Sequence, residues 1–469
     1  MKKYQRLAQQ IISQIELGVW LPGDKLPSLR EQVASSGMSF MTVGHAYQML
    51  ESQGRIVARP QSGYYVASRP TAQQPAPPAQ VMRDEVVDIN TYIFDVLQAS
   101  RDPSVVPFAS AFPDPRLFPL QQLNRSLANV SKTATAMSVI ENLPPGNVDL
   151  RHAIARRYAQ QGMNISPEEI VITAGALEAL NLSLQAVTEP GDWVIVENPC
   201  FYGALQALER LKLKALSIAT DVREGIDLNA LEQALNEYPV KACWIMTNSQ
   251  NPLGFTLSAE KKAQLVALLT QHNVPLIEDD VYSELYFGRE KPLPAKAWDR
   301  QDMTLHCSSF SKCLVAGFRI GWVAAGKHAR RIQQLQLMST LSTSSPMQLA
   351  LVDYLATKRD DAHLRRLRRT LAERKQQAWQ SLLRHMPAGV KIHHNDSGYF
   401  LWLELPAQLD AGLLSEKALM HHISIAPGKM FSTSDAWTPF FRFNTSWAWG
   451  EREEQAVIQL GKLISTMLE

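Results

Sequence analysis

A lysine stands beside small hydroxyl residues in the segment Ser308-Ser309-Phe310-Ser311-Lys312, and Arg319 follows seven residues later. A lysine amine can form a Schiff base with an aldehyde, while the Ser309 and Ser311 hydroxyls and the Arg319 guanidinium suit a phosphate dianion. Taken alone, the segment is more typical of an ordinary loop lysine. The rest of the chain has to distinguish the two interpretations.

A group of acidic residues follows an apolar run in Ile277-Glu278-Asp279-Asp280-Val281-Tyr282. Open α/β sheets bind ligands at the carboxyl ends of their strands, where a carboxylate can keep a pyridine nitrogen protonated. We select Asp279 rather than its two acidic neighbours, because Tyr282 then reaches a hydroxyl on the same ring. An acidic loop at the end of a strand is the alternative.

A strand-to-helix junction is expected at Thr173-Ala174-Gly175-Ala176-Leu177. The first amides of a helix have no partner within the helix, so those of Gly175, Ala176 and Leu177 can bind a phosphate. A junction of small residues is a weak signal by itself.

Two further segments provide side chains for a planar ring. Asn251 lies in a tight turn, Asn248-Ser249-Gln250-Asn251-Pro252, from which its amide can reach a ring hydroxyl. After the strand around Glu197, an aromatic side chain can stack on the ring, and we favour Phe201 over Tyr202 for this contact.

Arg442 interrupts the apolar strand Phe440-Phe441-Arg442-Phe443-Asn444. A buried guanidinium is costly unless it is paired, so Arg442 requires an anionic partner. A substrate α-carboxylate fits this requirement, and a structural salt bridge is the alternative.

Taken together, in their order along the chain, the six segments resemble the fold-type I aminotransferases over residues 105 to 465. The resemblance implies pyridoxal phosphate as the cofactor, with Lys312, Asp279 and Tyr282 as catalytic residues and Arg442 and Asn251 on the substrate. It also implies a set of cofactor-binding residues: Gly175, Ala176, Leu177, Phe201, Asn251, Asp279, Tyr282, Ser309, Ser311, Lys312 and Arg319. One feature departs from the family. Aminotransferases commonly have a tyrosine shortly before the motif found here as Gly146-Asn147-Val148-Asp149-Leu150-Arg151, but the preceding residues 141–145 contain none.

The N-terminal part of the chain predicts three helices followed by a hairpin. Apolar residues at helical spacing indicate a helix over residues 3 to 17 that stops at Gly18. Ser28, with Glu31, is typical of a capping box, and Gly37 would end that second helix. A third helix from Ser39 to Gly54 would bury Val43, Ala46, Tyr47 and Leu50, and two strands, 55–59 and 63–66, would complete a winged helix-turn-helix.

The second helix of a helix-turn-helix enters the major groove of DNA, and flanking cations contact phosphates. The residues expected to meet double-stranded DNA are Arg30, Ser39, Phe40, Met41, Thr42, Arg55, Arg59 and Gly63. An interaction module with an ordinary basic face is the alternative.

The motifs Leu26-Pro27-Ser28-Leu29-Arg30-Glu31 and Leu50-Glu51-Ser52-Gln53-Gly54 resemble the DNA-binding domain of the GntR family of bacterial regulators. Members of that family usually have Arg, and often Asn next, after the Ser that starts the recognition helix. This chain has Phe40 and Met41 there, which could touch thymine methyls or simply pack.

Composition separates these two parts. Residues 1 to 70 hold eight Lys or Arg against four Asp or Glu, although the net charge of the 469-residue chain is only +2. The proline-containing stretch from Ser68 to Gln80 predicts a linker, which we extend to residue 85. We therefore expect a winged helix-turn-helix over 1–67, a linker over 68–85 and an aminotransferase-like α/β domain with a small α+β lobe over 86–469.

Several protein classes are excluded by the sequence. No 18 consecutive apolar residues occur, and the N-terminus lacks an apolar signal region, so a cytoplasmic protein without a membrane partner is expected. The four cysteines have neither zinc nor disulfide spacing and are interpreted as buried thiols. The histidines give no metal pattern, and we predict no metal site.

The whole chain resembles the MocR subfamily of GntR-type regulators, in which a winged helix precedes an aminotransferase-like domain. The resemblance implies a homodimer in which pyridoxal phosphate, and an amino acid or amine effector, bias DNA binding and thus transcription. A working aminotransferase with an accessory N-terminal domain is the alternative, and the two activities can coexist.

Overall fold

A computed structural model describes residues 3–16, 19–20, 23–53, 55–59, 62–67, 82–85, 93–94, 98, 102–357, 359–432 and 434–469. Its strands, in chain order, are β1 Ile56–Arg59, β2 Gly63–Val66, β3 Met82–Glu85, β4 Val106–Pro107, β5 Ile170–Thr173, β6 Trp193–Asn198, β7 Lys214–Asp221, β8 Gly225–Ile226, β9 Val240–Ile245, β10 Leu276–Asp279, β11 Thr304–Ser309, β12 Gly321–Ala324, β13 Lys391–His393, β14 Phe400–Glu404, β15 Ile423–Ser424, β16 Ala426–Pro427 and β17 Phe440–Asn444.

Helices connect most of these strands. In chain order they are α1 Lys3–Glu16, α2 Leu29–Ser36, α3 Phe40–Ser52, α4 Leu120–Thr133, α5 Ser138–Glu141, α6 Val148–Gln160, α7 Ala176–Val187, α8 Tyr202–Arg210, α9 Leu228–Glu237, α10 Ala259–Gln271, α11 Ala329–Ser339, α12 Ser345–Ala356, α13 Asp360–His385, α14 Ala411–Leu419 and α15 Glu451–Leu468. Among the described residues no helix is long and apolar enough to span a bilayer.

The chain divides into two units, which are described separately. One comprises residues 1–73, 376–392 and 449–469, and the other comprises residues 74–375 and 393–448. Most of the expected linker, residues 68–81, lies outside the described residues. Residues 82–85, which we assigned to the linker, form β3 instead, and β3 pairs antiparallel with β7.

The N-terminal segment of the first unit is a winged helix, as the sequence predicts. Ser28 caps α2 in a capping box with Glu31, and Gly37 ends that helix at φ 65°. The four residues predicted for the inner face of α3 are each 0 % exposed: Val43, Ala46, Tyr47 and Leu50. The expected helix ends at Gly18 and Gly54, and residues 60 and 61 between the two predicted strands, lie outside the described residues.

The large sheet of the second unit has the strand order β3-β7-β6-β9-β10-β11-β12-β5, with β8 beside β7. The strands from β7 to β11 are parallel, and β12 is antiparallel to both of its neighbours. The expected α/β class is confirmed, since strands of this sheet alternate with helices along the chain.

Both faces of this sheet are covered. Along β5, Ile170 and Ile172 belong to one apolar cluster and Val171 belongs to another, because successive side chains of a strand point to opposite faces. The four cysteines are buried free thiols, as expected. The parallel strands therefore end at one sheet edge between two covered faces, the position that open α/β sheets use for ligands.

A smaller antiparallel sheet follows in the same unit. β17 pairs with β14 and with β16, and Arg442 on β17 lies opposite Trp402 on β14. Trp402 also packs on Phe440 at 5.8 Å between ring centroids. These aromatic contacts fix β17, and with it the backbone that carries Arg442.

Replacement of Leu50 by Ala should unfold the winged helix selectively. Leu50 is fully buried, and truncation of a buried leucine costs about 2–5 kcal/mol, a large share of the stability of so small a domain. Hydrogen exchange followed by mass spectrometry should show faster exchange in residues 3–67 and unchanged exchange in β9 to β11. Gln48→Ala, at an exposed position of the same helix, is the control. Equal protection of α3 in both variants would contradict this packing.

Candidate functional site

Several strands and turns bring the predicted residues to one edge of the large sheet. β10 ends at Asp279, β11 ends at Ser309, and β5 ends at Thr173, two residues before Gly175. A cavity of about 280 Å³ opens there. Its lining includes many of the residues selected from the sequence, namely Ala176, Leu177, Phe201, Asp279, Tyr282, Ser309, Ser311, Lys312 and Arg319.

Three predicted residues do not line the cavity. Arg442 and Asn251 are 0 % exposed, and Asn251 lies next to a lining residue, with its Nδ2 3.5 Å from the hydroxyl of Tyr282. Gly175 is also absent from the wall, although it precedes the lining residue Ala176. The predicted site residues therefore lie next to one another, but only some of them line the cavity.

The Lys312 amine is held by the main chain of a distant segment. Its Nζ donates a hydrogen bond to the carbonyl oxygen of Ala111 at 2.8 Å and lies 4.2 Å from the ring centroid of Phe112. Burial and the positive charge of Arg442 lower the pKa of this amine to about 7, against the opposing charge of Asp279. A lysine in this state is largely uncharged at slightly alkaline pH, as a nucleophile or base requires.

Of the adjacent acidic residues Glu278, Asp279 and Asp280, only Asp279 has a side-chain oxygen that is buried without a hydrogen-bond partner among the described residues. Asp280 accepts from Asn248 at 2.9 Å and lies 3.0 Å from His306 Nε2, while Glu278 accepts the amide of Ala295 at 2.6 Å. Asp279 Oδ1 is buried and has no hydrogen-bond partner among the described residues.

The environment of Asp279 favours its neutral form. Burial, aided by the neighbouring Asp280, raises the pKa of the Asp279 carboxyl to about 7. A cationic donor placed against Oδ1 would reverse this effect by stabilising the carboxylate. A protonated ring nitrogen is such a donor.

Arg442 is enclosed by neutral groups. Its Nη1 donates to Asn251 Oδ1 and its Nη2 donates to the carbonyl oxygen of Ala109, both at 2.7 Å. Its guanidinium carbon lies 4.2 Å from the Phe400 ring centroid, and its Nε has no partner in the described part of the chain. Burial lowers the pKa of the guanidinium, and the neighbours that oppose this are tyrosines rather than a carboxylate of the described residues. Arg442 therefore forms no ion pair within the described residues.

Hydrogen-bond donors lie together at the start of α7, namely the first amides of this helix and the Arg319 guanidinium. Gly175 precedes the helix at φ 87°, and no side chain of the described residues caps this end. Arg319 donates to Ser311 Oγ and to the carbonyl oxygen of Ala174, each at 3.3 Å. A Cβ atom on residue 175 would stand 2.4 Å from Arg319 Nη2. Only glycine therefore allows the guanidinium to approach the free amides of this helix.

Sequence reasoning missed the segment from Ala109 to Phe112. Its carbonyl oxygens accept from Arg442 and Lys312, and Ala111 also accepts from the Tyr399 hydroxyl at 2.9 Å. These contacts use main-chain atoms, which leave no side-chain pattern. Tyr399 could have been noticed as a polar aromatic residue at the edge of an apolar strand.

The residues predicted to meet DNA lie in the winged helix. Ser39 caps α3 and accepts the amide of Thr42, while Arg30 on α2 and the side chains of Phe40 and Met41 are exposed. On the wing, the Arg59 guanidinium lies 4.4 Å from the Tyr65 ring centroid, and Gly63 has a φ of 109°. Arg55 is half-buried at the start of the wing.

Comparison with known proteins identifies both parts of the chain. Residues 119–455 match the aminotransferase class I and II family, and residues 3–66 match the bacterial regulatory proteins of the gntR family. The chain is 82% identical over 468 residues to the uncharacterized HTH-type transcriptional regulator YdcR of Escherichia coli (strain K12), with 100% of both chains covered. It is 33% identical to the uncharacterized HTH-type transcriptional regulator YjiR of the same organism, again over 100% of both.

Solved structures agree with the fold. One similar structure is the multiple substrate aminotransferase of Thermococcus profundus, with TM-score 0.74 and 26% identity over 80% of this chain and 95% of that one. Another is LysN, the α-aminoadipate aminotransferase of Thermus thermophilus, complexed with N-(5'-phosphopyridoxyl)-L-leucine, with the same TM-score, identity and coverage.

The Lys312 amine should react with a small aldehyde at lower pH than exposed lysines do. Because its pKa is lowered to about 7, the neutral form dominates above that pH. Brief reductive methylation of the cofactor-free protein with formaldehyde and a borohydride reductant, followed by peptide mass spectrometry, should give a half-maximal rate near pH 7 for Lys312. The exposed Lys462 is the internal control, since ordinary lysines have a pKa of about 10.4. Identical pH profiles for the two lysines would contradict the inferred environment.

Proposed function

The chain belongs to the family of HTH-type transcriptional regulators in which a GntR domain precedes an aminotransferase class I and II domain, and we propose that it is a pyridoxal phosphate-dependent regulator that senses an amino acid or amine. The observation that carries the proposal is the unpartnered Oδ1 of Asp279, buried beside a lysine amine in a chain that also has a DNA-binding domain. A site of this kind fits the MocR subfamily.

The residues present fit pyridoxal phosphate. Asp279 Oδ1 would accept from the ring nitrogen, Phe201 would stack on the ring, and Tyr282 with Asn251 would meet its hydroxyl. The α7 amides, Ser309, Ser311 and Arg319 would hold the phosphate, as helix N-termini and guanidinium groups do. When bound, the cofactor would supply a reactive aldehyde and an electron-withdrawing ring.

The effector proposed is a small molecule with an amine and a carboxylate. Arg442 has a buried guanidinium with no anionic partner among the described residues, and an α-carboxylate would satisfy it. The carboxylate of such a ligand would compete with the Ala109 carbonyl oxygen for the Arg442 guanidinium. Its amine would compete with the Ala111 carbonyl oxygen for the position near the Lys312 amine. We propose that the 109–112 segment responds to the ligand by losing these contacts with Arg442 and Lys312.

A working aminotransferase is the second candidate, and the Lys312 environment favours it. A lysine amine with a pKa of about 7 can accept a proton from the substrate Cα near neutral pH. The same amine, carboxylate and guanidinium would serve a sensor. Formation of glutamate from 2-oxoglutarate and an amino acid would establish turnover, and the regulator proposal does not depend on that result.

Double-stranded DNA is the proposed macromolecular partner, which sets the site of action in the bacterial cytoplasm. We also propose a homodimer, since paired DNA half-sites mirror a two-fold protein axis. Three apolar side chains that are exposed around the end of α11 support a second copy, namely Leu337, Met338 and Leu341.

Gly175→Ala should weaken cofactor binding at least about tenfold, or 1.4 kcal/mol. The new Cβ would clash with Arg319, and the φ of 87° is strained for alanine. Gly162→Ala is the matched control, because Gly162 also has a positive φ, 77°, but would meet nothing within 4 Å. Equilibrium titration of the cofactor-free protein with pyridoxal phosphate measures both. Equal losses in the two variants would show that backbone strain, rather than the phosphate site, is responsible.

Arg30→Ala should weaken DNA binding in a salt-dependent way. Loss of one phosphate contact reduces the slope of log K against log salt by about 1, uniformly across sequences. Fluorescence anisotropy with a duplex recovered by the full-length, cofactor-loaded protein from a randomised library measures this slope. Arg300→Ala, at an exposed position of the second unit, should leave it unchanged. Failure to recover any duplex would reject DNA as the partner.

A further inference from the structure

The first two residues of α3 present apolar side chains to solvent. Phe40 is 55 % exposed and Met41 is 72 % exposed. Neither side chain belongs to the apolar core of the winged helix, which α1, α2, α3 and both strands of the wing build. Packing within the domain therefore does not explain them. An external surface of apolar character must cover them if they have a role.

The rest of this first turn offers little for polar base recognition. Ser39 Oγ accepts the Thr42 amide at 3.3 Å and lies 2.9 Å from Thr42 Oγ1, so these hydroxyls bond to each other. Guanine is read mainly by Arg or Lys and adenine by Asn or Gln, and residues 39 to 43 contain none of these types. The C5 methyl of thymine is the apolar feature that the major groove displays.

The outer surface of α3 is also open beyond this turn. Gly44 lies one turn after Met41, and a Cβ atom there would meet nothing within 4 Å. Glycine lowers helix stability relative to alanine, and no neighbour among the described residues demands it at this position. Its missing side chain leaves the helix surface between Met41 and the exposed Gln48 free for close approach by another molecule.

We propose that Phe40 and Met41 determine sequence specificity by contacting the C5 methyl groups of thymines in the major groove. The inference rests on the proposed DNA-binding function and adds the chemistry by which α3 discriminates bases. Arg30 and Arg59, both exposed, supply the cationic surroundings that bring a phosphate backbone to this helix. Selected binding sites should be enriched in thymine where the start of α3 meets the groove.

Replacement of thymine by deoxyuridine tests the proposal by removing only the methyl group. The full-length, cofactor-loaded protein first selects duplexes from a randomised library, and the recovered duplex is then made with thymine or with deoxyuridine. The wild type should bind the thymine duplex more tightly by about fourfold per contacted methyl, from the transfer free energy of one buried carbon group. Phe40→Ala and Met41→Ala should each reduce this ratio, and the double variant should bring it to about one.

Val19→Ala provides the matched control, since Val19 is an apolar residue of the same domain that is 60 % exposed. It should keep the wild-type ratio. All three positions are exposed, so the variants should fold, which circular dichroism checks. A wild-type ratio of one, with binding retained, would overturn methyl recognition and leave the regulator function standing. A ratio that survives in the double variant would assign recognition to other residues. Failure to select any duplex would reject both proposals together.

Discussion

The arrangement of the second unit depends on two buried ionisable groups, Asp279 and Arg442, whose side chains form no ion pair within the described residues. Asp279 has an unpartnered oxygen, and Arg442 is enclosed by carbonyl, amide and aromatic groups. Burial of an uncompensated charge costs several kcal/mol in real proteins. Burial favours the neutral forms of Asp279 and of the nearby Lys312, because it raises the pKa of the first and lowers that of the second, both to about 7. The proposed ligands would offset the cost of burial, a protonated ring at Asp279 and a carboxylate at Arg442.

Neighbouring features of the fold hold this arrangement in place. The parallel strands deliver Asp279 and Ser309 to one edge, and the antiparallel β12 brings the backbone after Arg319 beside β5, so that the guanidinium reaches the start of α7. The 109–112 segment meanwhile occupies the hydrogen-bonding groups of Lys312 and Arg442. Under the proposed function, a ligand that replaced those contacts would change the backbone environment of the site whether or not any turnover followed. Sensing and catalysis therefore share their first step, and the attached DNA-binding domain favours sensing as the function.

Much of the fold could be predicted from sequence because its signals are local. Ser28, Gly37 and Ser39 define helix ends through caps that involve only their immediate neighbours, and the structure has those ends. The site motifs were recognisable because each side chain has a distinct chemistry near the end of a strand. Long-range features were not predictable in the same way. β3 forms within the expected linker because β7 offers it an edge, and the carbonyl oxygens of Ala109 and Ala111 act through backbone atoms that any residue has.

Cofactor occupancy at Lys312 is expected to change which DNA the chain binds. The most direct test is a genome-wide map of bound DNA in cells that are replete with or starved of pyridoxal phosphate, for the wild type and for Lys312→Ala. We expect discrete bound sites in replete wild-type cells, and we expect both starvation and the substitution to shift their occupancy in the same direction. Identical occupancy in all conditions would contradict the coupling, and absence of discrete sites in every condition would contradict the regulatory function itself.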